Sequence, residues 1–296
     1  MNQSRMNVPP PFALFALSLF LAMPTSSVFG SVNSQSKPLS PSLIKSLGKP
    51  VSEKEMSIEA DIRFFRENKR TEFRELTLQW KRRYGDRSLQ ELSRIAKAKR
   101  LPDQDRFIAI LSIAHLHPKE APTQIRPYFK QKSWMLKSAA LQSAVLLGNK
   151  TFQLEVISML KDPALVIRAE AAESLGKLRW MEGKDALISA IYAPENYRPA
   201  NFKKGRADWV PQKALSALRD MKVTGVSRAL LPLVNEAGDP RLRAHALYTL
   251  EKLENKEFAP TGTFLEKRVA WNKFLLSDSL KSTQGSVANE KSASKK

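Results

Sequence analysis

The sequence repeats itself between residues 88 and 255, and this repetition constrains the fold more than any other feature. Five segments align on a shared position 0, which is occupied by Arg106, Lys137, Arg168, Pro211 and Arg243. Three residues later every segment has an alanine: Ala109, Ala140, Ala171, Ala214 and Ala246. Positions +4, +7 and +10 are apolar in all five segments. Because apolar residues at steps of three and four share one face of an α-helix, the pattern predicts five equivalent helices.

The spacing of the segments predicts how these helices are connected. Successive alanines are 31, 31, 43 and 32 residues apart. About 30 residues accommodate two helices and two turns, and segments 122–132, 151–161, 181–192 and 226–237 have the composition of the first helix of each pair. A small residue at +3 lets neighbouring helices approach closely in a stack of such pairs. We therefore predict an all-α protein, an α-solenoid of about five helical hairpins over residues 88–255.

The segments on either side of the repeats are expected to cap them. Residues 57–87 begin with an amphipathic helix that has one apolar stripe from Ile62 to Trp80 and a charged opposite face. Residues 256–276 are rich in aromatic and aliphatic side chains and are expected to form a C-terminal capping helix. Residues 277–296 are polar and basic, which predicts a disordered tail.

The segment DPALVIRAEAAESLGKL (162–178) resembles the second helix of a HEAT repeat, and DPRLRAHALYTLEKL (239–253) resembles it more loosely. The pattern is most similar to the short bacterial form that also occurs in phycobilisome-lyase-like proteins. The resemblance implies a superhelical solenoid whose second helices line the concave face. It also implies that the cation at position 0 pairs with an acidic residue in a neighbouring loop. HEAT arrays are mostly binding scaffolds, so the resemblance names no ligand.

The first 30 residues read as a secretory signal peptide. Arg5 precedes a short apolar run, and small residues follow at cleavage spacing before Ser31. The run is shorter than the roughly 20 residues needed to span a bilayer, although an uncleaved membrane anchor stays an alternative. Residues 31–56 read as a flexible leader rich in Ser, Pro and Lys. We expect an exported protein, periplasmic or secreted, with no transmembrane span after cleavage.

The chain has a formal net charge of +20, which favours acidic partners. Four of the five position-0 residues are cations and would form a line along a solenoid: Arg106, Lys137, Arg168 and Arg243. This line has two interpretations. It is a track for a polyanion, or it is a structural ladder of paired side chains.

The 43-residue spacing contains an insertion with aromatic and basic side chains. The candidate binding residues in it are Tyr192, Tyr197, Arg198, Phe202, Lys203, Lys204, Arg206 and Trp209. Insertions in solenoids often lie on the binding face, and aromatic rings interleaved with cations suit an acidic partner. The alternative is a loop whose aromatic side chains fold back onto the repeats.

No pattern in the sequence supports catalysis. The chain has no cysteine, and its three histidines, His115, His117 and His245, lack the spacing of metal ligands, so we predict no catalytic residue, metal or cofactor. The expected function is a non-enzymatic exported scaffold that binds an acidic protein or peptide through its concave face and the inserted loop. Electrostatic binding to an envelope polyanion or an anionic membrane surface is the alternative, and a lyase-like enzyme is a remote one. No specific nucleic acid is predicted.

Overall fold

The computed structural model describes residues 57–68, 72–197 and 209–276. These residues form helices and turns, without a strand among them. Their α-helices are α1 (Ile58–Asn68), α2 (Phe73–Tyr84), α3 (Arg87–Lys97), α4 (Asp103–Leu116), α5 (Ala121–Ile125), α6 (Trp134–Leu147), α7 (Gln153–Ser158), α8 (Leu165–Leu178), α9 (Lys184–Tyr192), α10 (Trp209–Asp220), α11 (Ser227–Glu236), α12 (Pro240–Glu254) and α13 (264–276). The predicted signal peptide (1–30), leader (31–56) and tail (277–296) lie outside the described residues and stay predictions.

The helices from α3 to α12 form five consecutive hairpins, which confirms the predicted all-α solenoid with caps at both ends. Repeats 1 to 5 consist of α3–α4, α5–α6, α7–α8, α9–α10 and α11–α12. The second helices of successive repeats pack against one another, and each also packs against the first helix of its own repeat. The first helices of repeats 2 and 3 are short and continue as the 3-10 helices Arg126–Lys130 and Met159–Lys161. None of the described helices has both the length and the apolar character that crossing a bilayer requires.

The alanines at position +3 lie at the centre of this packing. All five are fully buried in one continuous apolar core. The backbones of α8 and α10 approach closely at Gly176, five residues after Ala171. A Cβ atom added to Gly176 would lie 2.7 Å from the Cα of Ala217. Small residues are therefore required at the helix crossings, as the repeat pattern predicts.

Gly176→Ala is expected to lower the free energy of unfolding by about 1–3 kcal/mol, because α8 and α10 must move apart to admit the methyl group. The loss should occur even though alanine favours helix by about 1 kcal/mol over glycine. Urea denaturation measures the difference. Gly238→Ala is the matched control, since a Cβ atom there meets nothing within 4 Å. Equal stability of the two variants would contradict the close crossing.

The N-terminal cap differs from the predicted single helix. The structure has two helices, α1 and α2, and Glu72 before α2 has an extended backbone. The indole N–H of Trp80 donates to Asp61 Oδ2 at 2.9 Å. In one continuous helix these two residues would be about 28 Å apart, so the hydrogen bond requires the chain to turn back. The cap is thus a helix pair that packs on repeat 1.

The two Asp-Pro pairs of the sequence behave differently. Asp239 caps α12 as expected, because its side chain accepts from the backbone N–H of Arg241 at 2.8 Å. Asp162 stands three residues before the first residue of α8 and accepts from the backbone N–H of Ala164 at 2.9 Å. Its second carboxylate oxygen faces the preceding repeat.

At the C-terminal end, α13 packs on repeat 5 through polar side chains, and its aromatic side chains cluster with Phe258 in the turn after α12. The buried ring of Trp271 lies edge-on to Phe258 and Phe274, with centroids 5.0 and 5.8 Å away. The side chains of Asn272 and Asn235 of α11 exchange two hydrogen bonds, at 2.9 and 3.0 Å. Lys267 donates to Glu251 of α12 at 3.3 Å. The predicted C-terminal cap is therefore a helix that contacts both helices of repeat 5.

Candidate functional site

The cations at position 0 of repeats 2 and 3 bind to the hairpin turn of the following repeat. Lys137 forms an ion pair with Asp162, and both side chains are buried, with 8% and 5% of their surface exposed. Arg168 donates from Nε to Asn196 Oδ1 at 2.5 Å and from Nη2 to the carbonyl of Glu195 at 2.9 Å. Each cation therefore joins its own second helix to the next hairpin.

Arg106 forms its hydrogen bonds within repeat 1. It donates to Asp103 Oδ1 at 2.8 Å and to the carbonyl of Ala96 at 3.0 Å. With Lys137 and Arg168 enclosed and bonded as well, three of the four cations are occupied by groups of the protein. These contacts leave no row of free cations, so the position-0 line offers no track for a polyanion.

A second ladder joins the second helices of repeats 2 to 5 through positions +5 and +2. Gln142 at +5 of repeat 2 donates to Glu170 at +2 of repeat 3, at 3.0 Å. Lys213 at +2 of repeat 4 reaches Glu173 at +5 of repeat 3, at 2.6 Å. Ser216 of repeat 4 and His245 of repeat 5 lie 3.3 Å apart at the same two positions. The +5 residue thus bonds to the helix that comes next in the stack.

Both ladders end at repeat 5 without the partner that earlier repeats supply. Arg243, at position 0, has an enclosed Nε that no described group accepts, and its guanidinium carbon lies 5.9 Å from the ring centre of Phe264. Tyr248, at position +5, is 46% exposed; its ring contacts Arg219 and Lys252, and no described residue hydrogen-bonds to its hydroxyl. Ala244, at +1, is exposed, whereas Ser138 and Ala169 at the same position are buried.

Two exposed apolar side chains lie on α13, which contacts α12 through Phe264 beside Arg243 and through Lys267 bound to Glu251. Leu265 and Val269 are one turn apart on α13 and are 56% and 57% exposed. We call the set of Arg243, Ala244, Tyr248, Leu265 and Val269, on the last two helices, the open end of the repeat stack. A terminal cap that only closes a solenoid presents a polar outer face. This open end presents apolar side chains instead.

Several cations near the open end have no carboxylate partner in the described part of the chain. Lys252 and Lys256 contact aromatic rings at 5.4 and 3.9 Å. Lys267 is the exception, since it is paired with Glu251 and Glu257. The open end therefore combines exposed apolar side chains with the guanidinium of Arg243 and the nearby ammonium groups of Lys252 and Lys256.

The described part of the inserted loop packs onto the protein. The hydroxyl of Tyr192 donates to the carbonyl of Ala229, and that of Tyr197 donates to the carbonyl of Ile191 at 2.6 Å. Trp209 begins α10 and packs against the core. The two tyrosines line a shallow cleft of about 220 Å³ against α11. The other candidate residues, Arg198, Phe202, Lys203, Lys204 and Arg206, lie outside the described residues.

The three histidines lie apart. Burial lowers the pKa of His115, His117 and His245. His117 hydrogen-bonds to Ser88 Oγ at 2.7 Å and His245 lies beside Ser216. Within the ranges that the structure describes, no three His, Asp or Glu side chains come together as metal ligands would. Each histidine is thus placed to act in local packing.

The most perturbed carboxyl group is that of Glu170 on α8. Burial raises its pKa to about 7, against hydrogen bonds from Gln142 and Ser138 that lower the pKa. Both bonds go to Oε1, at 3.0 and 2.9 Å, while Oε2 is enclosed without a partner. The group lies between repeats 2 and 3, so its charge affects how these repeats pack.

Sequence reasoning named Arg243 but missed the rest of the open end, because it read the repeat only at position 0 and in the apolar columns. The same alignment, read at +1 and +5, places Ala244 and Tyr248 at positions that face the next helix. An exposed tyrosine there, with no sixth segment of the pattern after it, is the signal that the sequence contained.

Comparison with known proteins gives a distant structural likeness. No protein-family model matches the chain, and no curated protein matches it. The chain is similar to a solved structure of the complex of CpcE and CpcF of phycocyanin lyase from Nostoc sp. PCC7120, with a TM-score of 0.46 and 18% sequence identity. The likeness covers 57% of this chain and 65% of that one, so the chain spans less than two thirds of the solved chain.

This comparison corrects two expectations. The solved structure with a similar helical array is an enzyme, a phycocyanin lyase, so the prediction that the protein is not an enzyme is wrong as it was drawn. The non-enzymatic exported scaffold that acts through a concave face and the 192–209 loop is corrected with it.

Proposed function

We propose that the protein is a subunit of a protein–protein complex and that it binds an acidic partner at the open end of its repeat stack. The observation that carries this proposal is Tyr248. Residues at its position in repeats 2, 3 and 4 bond to the next helix of the stack, whereas Tyr248 is exposed and its hydroxyl has no described partner.

The composition of the open end supports a protein as the partner. Leu265, Val269 and the ring of Tyr248 are exposed apolar groups, and Arg219 and Lys252 contact that ring. Protein interfaces combine apolar and polar groups in this way, with tyrosine and arginine enriched among the residues that contribute most to affinity. Burial of exposed leucine and valine side chains contributes about 1.5–3 kcal/mol each at full burial.

The charge supports an acidic partner. Arg243 and Lys252 lack a carboxylate partner in the described part of the chain, and the whole chain carries a net charge of +20. Opposite charge on the partner would speed the encounter and fix its orientation more than it would raise affinity. We also propose that the chain is a HEAT-repeat protein of the short bacterial form. Its export stays a prediction.

Site-specific photo-cross-linking tests the proposed interface. The full chain carries a photoreactive amino acid in place of Tyr248, or in place of Leu154, which is 79% exposed on a first helix. Both are irradiated in extract of the source organism. We expect one discrete cross-linked protein from position 248 only, and its loss when Val269→Glu is added. Equal products from both positions, or no dependence on Val269, would refute the interface.

A further inference from the structure

Resting on the proposed function, we infer that the partner supplies an amphipathic helix which completes a sixth repeat: it occupies the place of a second helix beside α12 and α13. Three independent features of the described residues define this place. They are the position-0 cation, the +5 side chain and the placement of α13.

The place of the partner's turn is defined by Arg243. Lys137 and Arg168, at the same position, bond to oxygen atoms in the turn of the next hairpin: the Asp162 carboxylate, the Asn196 side chain and the Glu195 carbonyl. An enclosed and unpartnered Nε costs free energy, which Arg243 recovers by turning its guanidinium toward an acceptor. The residues that precede the partner's helix therefore present a carboxylate or carbonyl oxygen.

The axis of the partner's helix is defined by Tyr248 and Ala244. In repeats 2 to 4 the +5 residue bonds to the +2 residue of the next helix. The +1 residues of repeats 2 and 3, Ser138 and Ala169, are buried, and Ser138 donates to Glu170 of the next helix. The hydroxyl of Tyr248 accordingly faces an acceptor at +2 of the partner helix. Glu170 is the residue of this chain that holds that position opposite Gln142.

The first helix of the sixth repeat is already present as α13. Asn272 of α13 bonds to Asn235 of α11, just as Arg126 and Glu155 join the first helices of repeats 2 and 3 at 2.5 Å. The second helix of this sixth repeat is the one that the described residues do not supply. Residues 277–296 do not repeat the apolar columns at +3, +4, +7 and +10, so the chain's own tail is a poor source for it. A helix from another chain therefore fits this place beside α12 and α13.

An added helix tests this inference within the full chain. A copy of residues 162–179, the turn and second helix of repeat 3, is inserted directly after residue 276. If the open end accepts a second helix, the copied aspartate meets Arg243 and the copied glutamate meets Tyr248. We expect the midpoint of thermal unfolding to rise by at least about 4 °C. The inserted helix should also abolish the cross-link from position 248, because it occupies the partner's place.

Matched variants identify the contacts. Asp162→Ala and Glu170→Ala, made in the copy alone, should remove most of the rise, and so should Arg243→Gln with Tyr248→Phe in the host chain. The inference is overturned if the insert does not raise the midpoint of thermal unfolding, or if the rise is the same with and without these substitutions. If position 248 still captures a partner from the chain with the insert, the proposed function holds and the sixth-repeat geometry fails. A cross-link to residues 277–296 or to a second copy of the chain also overturns it.

Discussion

Asp162→Ala is expected to lower the free energy of unfolding by about 3–5 kcal/mol, the usual cost of removing one member of a buried ion pair. The substitution leaves the Lys137 ammonium enclosed between repeats 2 and 3 without its carboxylate. It also removes the acceptor for the backbone N–H of Ala164 in the turn before α8. Urea denaturation monitored by tryptophan fluorescence measures the loss.

A second substitution separates the buried charge from the lost attraction. If the cost comes from the uncompensated ammonium, Lys137→Met in the Asp162→Ala background should restore part of the stability, because the charge is gone. The Lys150–Glu182 pair is the control. It links the 3-10 turns Lys150–Phe152 and Met181–Gly183, but its side chains are 63% and 49% exposed, so Glu182→Ala should cost less than about 1 kcal/mol. Similar costs for Asp162 and Glu182 would contradict the structural role of the ladder.

The fold could be predicted from the sequence because the determining signal is local. Alanine at +3 and apolar residues at +4, +7 and +10 report which face of each helix is buried, and five copies of that face leave few arrangements other than a stack. The N-terminal cap could not be predicted as well. Its turn depends on a hydrogen bond between Trp80 and Asp61, which no helical period reveals.

The candidate site was harder to predict because it depends on which side chains lack a neighbour. Position 0 reads the same in repeats 3 and 5, yet Arg168 is bonded on all sides and Arg243 is not. The difference arises because the turn of another hairpin supplies oxygen acceptors to Arg168, whereas Arg243 lies beside the ring of Phe264. The aromatic and basic composition of the inserted loop indicated a binding site, although its tyrosines hydrogen-bond to the protein's own backbone. Composition identifies the side chains that can bind, and only the packing shows which of them are still free.

Glu170→Gln is expected to stabilise the protein at pH 8 and to leave its stability nearly unchanged at pH 4.5. The pKa of Glu170 is raised from its ordinary value of 4.5 to about 7, chiefly by burial. Below pH 4.5 the carboxyl is protonated in both the folded and the unfolded chain. Between pH 4.5 and 7 only the unfolded chain ionises, so the wild type loses up to about 3 kcal/mol of stability as the pH rises. The glutamine is neutral throughout and still accepts from Ser138 and Gln142.

Glu173→Gln should behave in the opposite way, although Glu173 lies one turn from Glu170 on the same helix. Burial alone would raise the pKa of Glu173, but hydrogen bonds and ion pairs with Lys177 and Lys213 hold the pKa below its ordinary value. Its carboxylate therefore stabilises the fold above the ordinary pKa, and that contribution is lost as the pH falls through the lowered one. The substitution should destabilise the protein at pH 8 and matter little in acid. Denaturation of both variants at pH 4.5 and 8 measures how the free energy of unfolding of each variant depends on pH. Parallel pH profiles would show that Glu170 is not the proton-linked group between repeats 2 and 3.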